Sequence, residues 1–264
     1  MAADRFAIKS TGAVEISVLK SGSGPALLLV HGALLNVAMT WFAVLPKLAE
    51  QFTVYAMDRR GRPPSGDGKE YSIALEVDDI TSVIAAIGQP VIVLAHSYGA
   101  LVALAAVPRL QAVRQLILYE PPGIIPGPEQ TDAVPKMERA LEAGNREEIV
   151  TLFLRDQIGA PPEVLAGFKQ SPLWPKVLEI SPTLPRESRT VNASPLSLES
   201  LAACSIPAVI LAGSETRGRM REGVDLLCRT IPDCRLVVLE GQGHTAMMQA
   251  PELFVDKVLE AAQR

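Results

Sequence analysis

The sequence has little of what metal sites and disulfide frameworks need. Cysteine occurs three times, at Cys204, Cys228 and Cys234, an odd number with no metal-type spacing beside a histidine. This argues against a zinc site and a disulfide scaffold, and reads as reduced packing thiols in a cytoplasmic protein. Histidine also occurs only three times, at His31, His96 and His244. No cluster of lysine and arginine stands out against a net charge of −4, so the charge pattern of a nucleic-acid or anionic-membrane binder is missing. No apolar run approaches the roughly 18 residues of a membrane span. The opening MAADRFAIKS lacks the apolar core of a secretory leader. A small-molecule partner is what remains, and the sequence does not choose between a monomer and a homodimer.

What is present is a core. With 48% hydrophobic and 20% charged residues in 264, the chain can bury one large α/β domain, or such a domain with an insert. Short apolar runs without helical period read as buried strands. They fall at Phe6–Ile8, Val14–Leu19, Ala26–Val30, Thr53–Met57, Val91–Ala95, Val113–Tyr119, Ala208–Ala212 and Arg235–Leu239. The first two form a hairpin turning near Thr11 and Gly12. Helical patterns lie between the later runs, over about 37–51, 73–87, 100–107, 219–231 and 251–262. In the 73–87 helix, Leu75, Val77, Ile80, Ile84 and Ile87 face inward, and Asp78 and Asp79 face outward. Such alternation predicts a mostly parallel, eight-stranded sheet with helices on both faces.

Residues 121–195 differ. They hold 12 of the 21 prolines and no buried-strand run, and read as an insert of short helices. The domain division is therefore a core of 1–120 and 196–264 and a helical insert of 121–195.

The polar motifs fall where the predicted strands end, which is where ligands bind in open α/β sheets. The most telling is Val91–Gly99, VIVLAHSYG: a strand, a tight turn with Ser97 at its tip, then a helix. Ala95 and Gly99 keep the flanks of the turn small, as a strand and helix that nearly touch require. A serine hydroxyl needs a base to take its proton. His244, in the GQGH loop after the last strand, is the best candidate, since histidine ordinarily titrates near 6.5. His31 and His96 suit hydrogen bonding and packing beside the turn. A base of this kind needs a carboxylate to hold its tautomer. Two strand-end acids compete for that place, Glu120 and Glu215.

Taken together, HGALL (31–35), DRRGRPPSG (58–66), AHSYG (95–99), YEPP (119–122) and GQGH (241–244) resemble, in order, the motifs of the α/β-hydrolase fold superfamily. The likeness is to its capped serine hydrolases of esterase and lactonase type. It covers nearly the whole chain except the insert. It implies the α/β-hydrolase fold with residues 121–195 as a helical cap. It also implies Ser97 as nucleophile, His244 as base, and an acyl-enzyme route that needs no cofactor or metal. The family's usual acid position is Thr216 here, which cannot serve. Certain lactone-cleaving members instead carry a Glu one strand earlier, the position of Glu120, and this favours Glu120 with Glu215 as the alternative. The oxyanion hole is implied at the backbone N–H groups of Tyr98 and Ala33, with Leu34 as fallback. Asp58 and Arg60 match a turn-shaping motif, and Pro63 replaces its usual glycine. Leu34, Trp174, Phe153, Phe168, Met137, Met247, Met248 and Trp41 are candidates for an acyl pocket.

The expected activity is hydrolysis of a carboxylic ester, lactone or thioester. The fold also hosts lyases, cyclases, transferases and receptor-like ligand binders, and a non-hydrolytic use of the same pocket is the alternative.

Overall fold

A computed structural model of the chain describes residues 4–125 and 132–263. Residues 126–131 of the predicted insert lie outside the described residues. The strands are β1 Asp4–Lys9, β2 Glu15–Ser21, β3 Ala26–Val30, β4 Thr53–Met57, β5 Val91–His96, β6 Val113–Tyr119, β7 Ala208–Gly213 and β8 Cys234–Leu239. They form one sheet in the order β1-β2-β4-β3-β5-β6-β7-β8. β2 pairs antiparallel with β1 and with β4. The six strands β3 to β8 pair parallel with one another.

Parallel strands buried on both faces must be apolar throughout, and β3, ALLLV, is buried at every position. Side chains alternate across the sheet. Ala26, Leu28 and Val30 enter one core cluster, and Leu27 and Leu29 enter the other. The helices are α1 Val37–Trp41, α2 Leu45–Leu48, α3 Ile73–Ile87 and α4 Tyr98–Ala106 in the first half. Between β6 and β7 come α5 Ala133–Glu142, α6 Arg146–Leu152, α7 Pro162–Gln170, α8 Trp174–Ile180, α9 Leu184–Asn192 and α10 Leu198–Ala202. The last are α11 Gly218–Thr230, α12 Ala246–Gln249 and α13 Pro251–Ala262. α3, α4 and α11 cover one face of the sheet, and α1, α2, α12 and α13 cover the other.

Local chemistry sets several boundaries. The Ser72 hydroxyl accepts the Leu75 N–H and caps α3, which ends at Gly88 in the left-handed region. The single helix expected over 37–51 is two short ones, α1 capped by Asn36, and α2 opening with Pro46 in its first turn. α3 does not turn both acids outward. Asp79 is buried and paired with Arg60 at 2.7 Å, while Asp78 meets Arg109 near the surface. Arg62 is fully buried. The insert has its own cluster, including Met137, Ile149, Phe153 and Val177, to which Leu34 of the core is joined. All three cysteines are free, and the Cys228 and Cys234 sulfurs lie 3.3 Å apart. Among the described residues no helix is long and apolar enough to cross a membrane, and no group of three or more His, Cys, Asp or Glu is arranged to hold a metal ion.

Candidate active site

Four neighbouring parallel strands deliver the site to one edge of the sheet. His96 pairs with Tyr119 in the β5–β6 register, so Ser97 and Glu120, the next residue on each strand, emerge side by side. The Ser97 N–H bonds the Tyr119 carbonyl at 2.8 Å. The loop after β7 brings Thr216, and the loop after β8 brings His244.

Ser97 stands at φ 51°, ψ −122°, immediately before α4. Five non-glycine residues have positive φ among the described residues, and three of them, Leu34, Ser97 and Glu120, are candidate site residues. Each such conformation costs of order 1–3 kcal/mol. Strain gathered at one place is a mark of function, and the sequence carried no sign of it. The turn is possible because Gly99 has no side chain. A Cβ there would stand 2.5 Å from the His31 carbonyl and 2.7 Å from that of Val30. Both are backbone atoms of the neighbouring strand end and cannot swing away. Gly99→Ala is therefore expected to lower stability by about 1–3 kcal/mol, read from the urea midpoint. An unchanged midpoint would show that β3 and α4 do not pack as described.

Glu120 is fully buried. One carboxylate oxygen lies 2.6 Å from His244 Nδ1. The other accepts the Gly213 N–H at 2.8 Å and the Thr216 hydroxyl. Burial pushes the carboxyl up, but His244, Thr216 and Gly213 outweigh it and hold the group below its usual range. An ionised carboxylate only accepts hydrogen bonds, so it is Nδ1 of His244 that carries a proton toward Glu120. Glu215 does not come to this place. It is exposed, and its backbone N–H bonds the Gln242 carbonyl at 2.9 Å.

The His244 loop is strapped from below. His96 Nε2 donates to the His244 carbonyl at 2.9 Å, and the two rings meet at a tilt of 46° with centroids 4.7 Å apart. The Tyr119 hydroxyl donates to the Gly243 carbonyl and accepts the Ala246 N–H at 3.2 Å. The loop after β3 closes the other side. A Cβ at Gly32 would lie 2.9 Å from that of Ser97. His31 Nδ1 bonds the Gly32 carbonyl at 2.8 Å and its Nε2 accepts the Arg59 N–H at 3.1 Å. Among the described residues the N–H groups of Ala33 and Leu34 meet no acceptor, and the first N–H groups of α4 have none within that helix.

His31 and His96 are both held well below the usual histidine value. Burial is the main cause, followed by Arg59 and Arg62 for His31 and by His244 for His96. A histidine kept neutral in the fold but free to protonate when unfolded lowers stability as pH falls below the unfolded value of about 6.5. Each costs about 1.4 kcal/mol per pH unit there. Between pH 7.5 and 5.5 the unfolding free energy should fall by about 2–3 kcal/mol through this pair. Equal urea midpoints at the two pH values would contradict it.

Of the pocket candidates, Met137 and Phe153 are buried with Leu34, and Trp174 and Phe168 pack against them. Met248 joins a small cluster with Leu35, Met39 and Ile180. Met247 and Trp41 lie elsewhere, fully buried with Phe254 on the sheet face under α12 and α13. Asp58 and Arg60 are tied up in structure. Asp58 accepts the Val37 N–H and an Arg5 guanidinium, and Arg60 grips Asp79 with two hydrogen bonds. The turn that follows holds a cis Pro63–Pro64 peptide. Sequence reasoning missed the grip of Thr216 on Glu120 and the straps of His96 and Tyr119. It also missed a buried salt-bridge group of Arg59, Arg62, Glu76 and Glu187. The three arginines within DRRGR were the available signal.

The alpha/beta hydrolase family model matches residues 27–257. The chain belongs to that family. An alpha/beta hydrolase from Sphaerobacter thermophilus is 31% identical with a TM-score of 0.86, covering 97% of this chain and 99% of that one. A thermophilic esterase from Thermogutta terrifontis has a TM-score of 0.78 at 24% identity, over 98% of this chain and 97% of its own, a likeness of fold. The 2-(acetamidomethylene)succinate hydrolase of Mesorhizobium japonicum is 25% identical over 98% of this chain and 96% of its own length. A 99-residue match at 37% identity to the probable oxidoreductase EphD of Mycobacterium tuberculosis takes in 35% of this chain and only 17% of that protein. The family model and the full-length Mesorhizobium relative support a hydrolase, and the oxidoreductase match is confined to 99 residues.

Proposed function

We propose that this hydrolase cleaves a carboxylic ester, lactone or thioester through an acyl-enzyme on Ser97. The observation that carries the reading is the 2.6 Å contact between Glu120 and His244, beside a strained Ser97. With Nδ1 protonated toward Glu120, His244 Nε2 takes the Ser97 proton as Oγ attacks the carbonyl carbon. The oxyanion forms against the N–H groups of Tyr98 and Ala33. Removing one such donor typically costs about 2.7–4 kcal/mol of barrier. As the tetrahedral centre collapses, the imidazolium returns its proton to the leaving alcohol, thiol or ring oxygen. Water then repeats the two steps and frees the acid. No cofactor or metal takes part. Residues 121–195 act as a cap, and Leu34, Met137, Phe153 and Trp174 favour an apolar acyl group.

Stopped-flow hydrolysis of p-nitrophenyl butyrate tests the reading. The expected trace is a burst of p-nitrophenolate approaching one equivalent per chain, then a slower steady phase, because acylation outruns deacylation for an activated ester. The absence of any turnover above buffer over a series of acyl lengths would overturn it.

A further inference from the structure

Arg59 joins the loop after β3, the Tyr98 ring and helix α9. Its backbone N–H bonds His31 Nε2, and its Nη1 donates to the Gly32 carbonyl at 3.1 Å, so it grips the loop that bears Ala33. Its guanidinium lies over the Tyr98 ring, 4.4 Å from the centroid. The Tyr98 hydroxyl is itself paired with that of Tyr71. Arg59 thus contacts the loop that bears Ala33 and the side chain of Tyr98, the two residues proposed as oxyanion donors. The same guanidinium is held by two carboxylates, Glu76 of α3 at 2.6 and 2.7 Å and Glu187 of α9 at 2.7 Å. Glu187 also takes Arg62 with two hydrogen bonds, and Arg62 reaches the Leu35 carbonyl and the Thr183 hydroxyl. All four charged groups are at most 1% exposed.

The charges in this group balance only when the insert is seated. Two arginines and Glu76 belong to the core, and Glu187 comes from the insert. Moving α9 away would leave one arginine charge without a partner at the back of the oxyanion loop, where burial makes an unpaired charge costly. We propose that Arg59 is the positioning residue of the oxyanion hole, and that Glu187 makes a formed hole depend on a seated cap. The inference rests on the serine-hydrolase reading above. Substrate enclosed by the cap would then meet a complete hole, and with α9 displaced Arg59, the anchor shared by the Ala33 loop and Tyr98, keeps Glu76 but loses Glu187.

An aryl trifluoromethyl ketone separates this role from a merely structural one. Ser97 Oγ adds to its carbonyl, the proton passes to His244, and the hemiketal oxygen occupies the hole. In Arg59→Met and in Arg62→Met/Glu187→Met, which keeps the buried charges balanced, Ki for the ketone should rise at least tenfold. The value of kcat should fall in parallel, and KM should move less than threefold. Arg60→Met/Asp79→Met removes an equally buried pair that touches neither loop, and should leave Ki within twofold. Ketone affinity retained in the first two variants, or lost equally in the control, overturns the proposal. Should those variants not fold, the wild type still decides by hydrogen exchange. Ketone binding should slow the amides of 184–192 at least fivefold, since coupling between two sites is reciprocal, and unchanged exchange overturns the proposal. Wild type that takes neither ketone nor a fluorophosphonate at Ser97 would instead refute the serine-hydrolase reading itself.

Discussion

Ser97→Ala should lower kcat for p-nitrophenyl butyrate by about four to six orders of magnitude, with KM little changed. The residue caps α4 without a hydrogen bond from its side chain, so the hydroxyl has no structural task whose loss would disturb the fold. It also occupies a strained conformation that a simple helix cap would not need. In the proposed reaction the hydroxyl provides the atom that forms the acyl bond. With it gone, only the oxyanion donors and binding remain, and these account for a small residual rate. His244→Ala should fall nearly as far. The double variant should be scarcely worse than either single one, because the two groups act as a unit. Additive losses would mean that hydroxyl and imidazole act separately. Steady-state kinetics on the four proteins gives the answer.

Glu120→Gln should lower kcat by about 10³–10⁴, while Glu215→Gln changes it less than twofold. Glutamine has the size of glutamate, so the effect reports chemistry and not packing. Three donors converge on the Glu120 carboxylate, from Gly213, Thr216 and His244. A glutamine oxygen can satisfy Gly213 and Thr216, but its NH₂ then faces His244 Nδ1. That stabilises the tautomer with the proton on Nε2, which cannot accept from Ser97. Glu215 stands exposed and touches none of these groups. A large loss in the Glu215 variant alone would transfer the role to that residue.

The sheet was legible because buried parallel strands leave unbroken apolar runs. β3, β4 and β6 begin and end where the runs do. α3 and α13 also match residue for residue, one between a serine cap and a left-handed glycine, the other opening on a proline. The region of 37–51 was less legible, because periodicity continues through a break that Pro46 makes possible. At the site, sequence order placed Ser97, Glu120 and His244 at strand ends. Which acid faces the base depends on a contact spanning 124 positions, and no local pattern encodes it. The same holds for Arg62 and Glu187, 125 positions apart. Thr216 was set aside because a hydroxyl cannot replace a carboxylate. In the fold it donates to the carboxylate that arrived from the neighbouring strand.

Peptide mapping after reaction with a fluorophosphonate tests the central claim most directly. The account predicts one adduct per chain, on the peptide carrying Ser97, formed by wild type and lost in His244→Ala. Labelling at another residue, or unchanged labelling of Ser97 without the histidine, would contradict it.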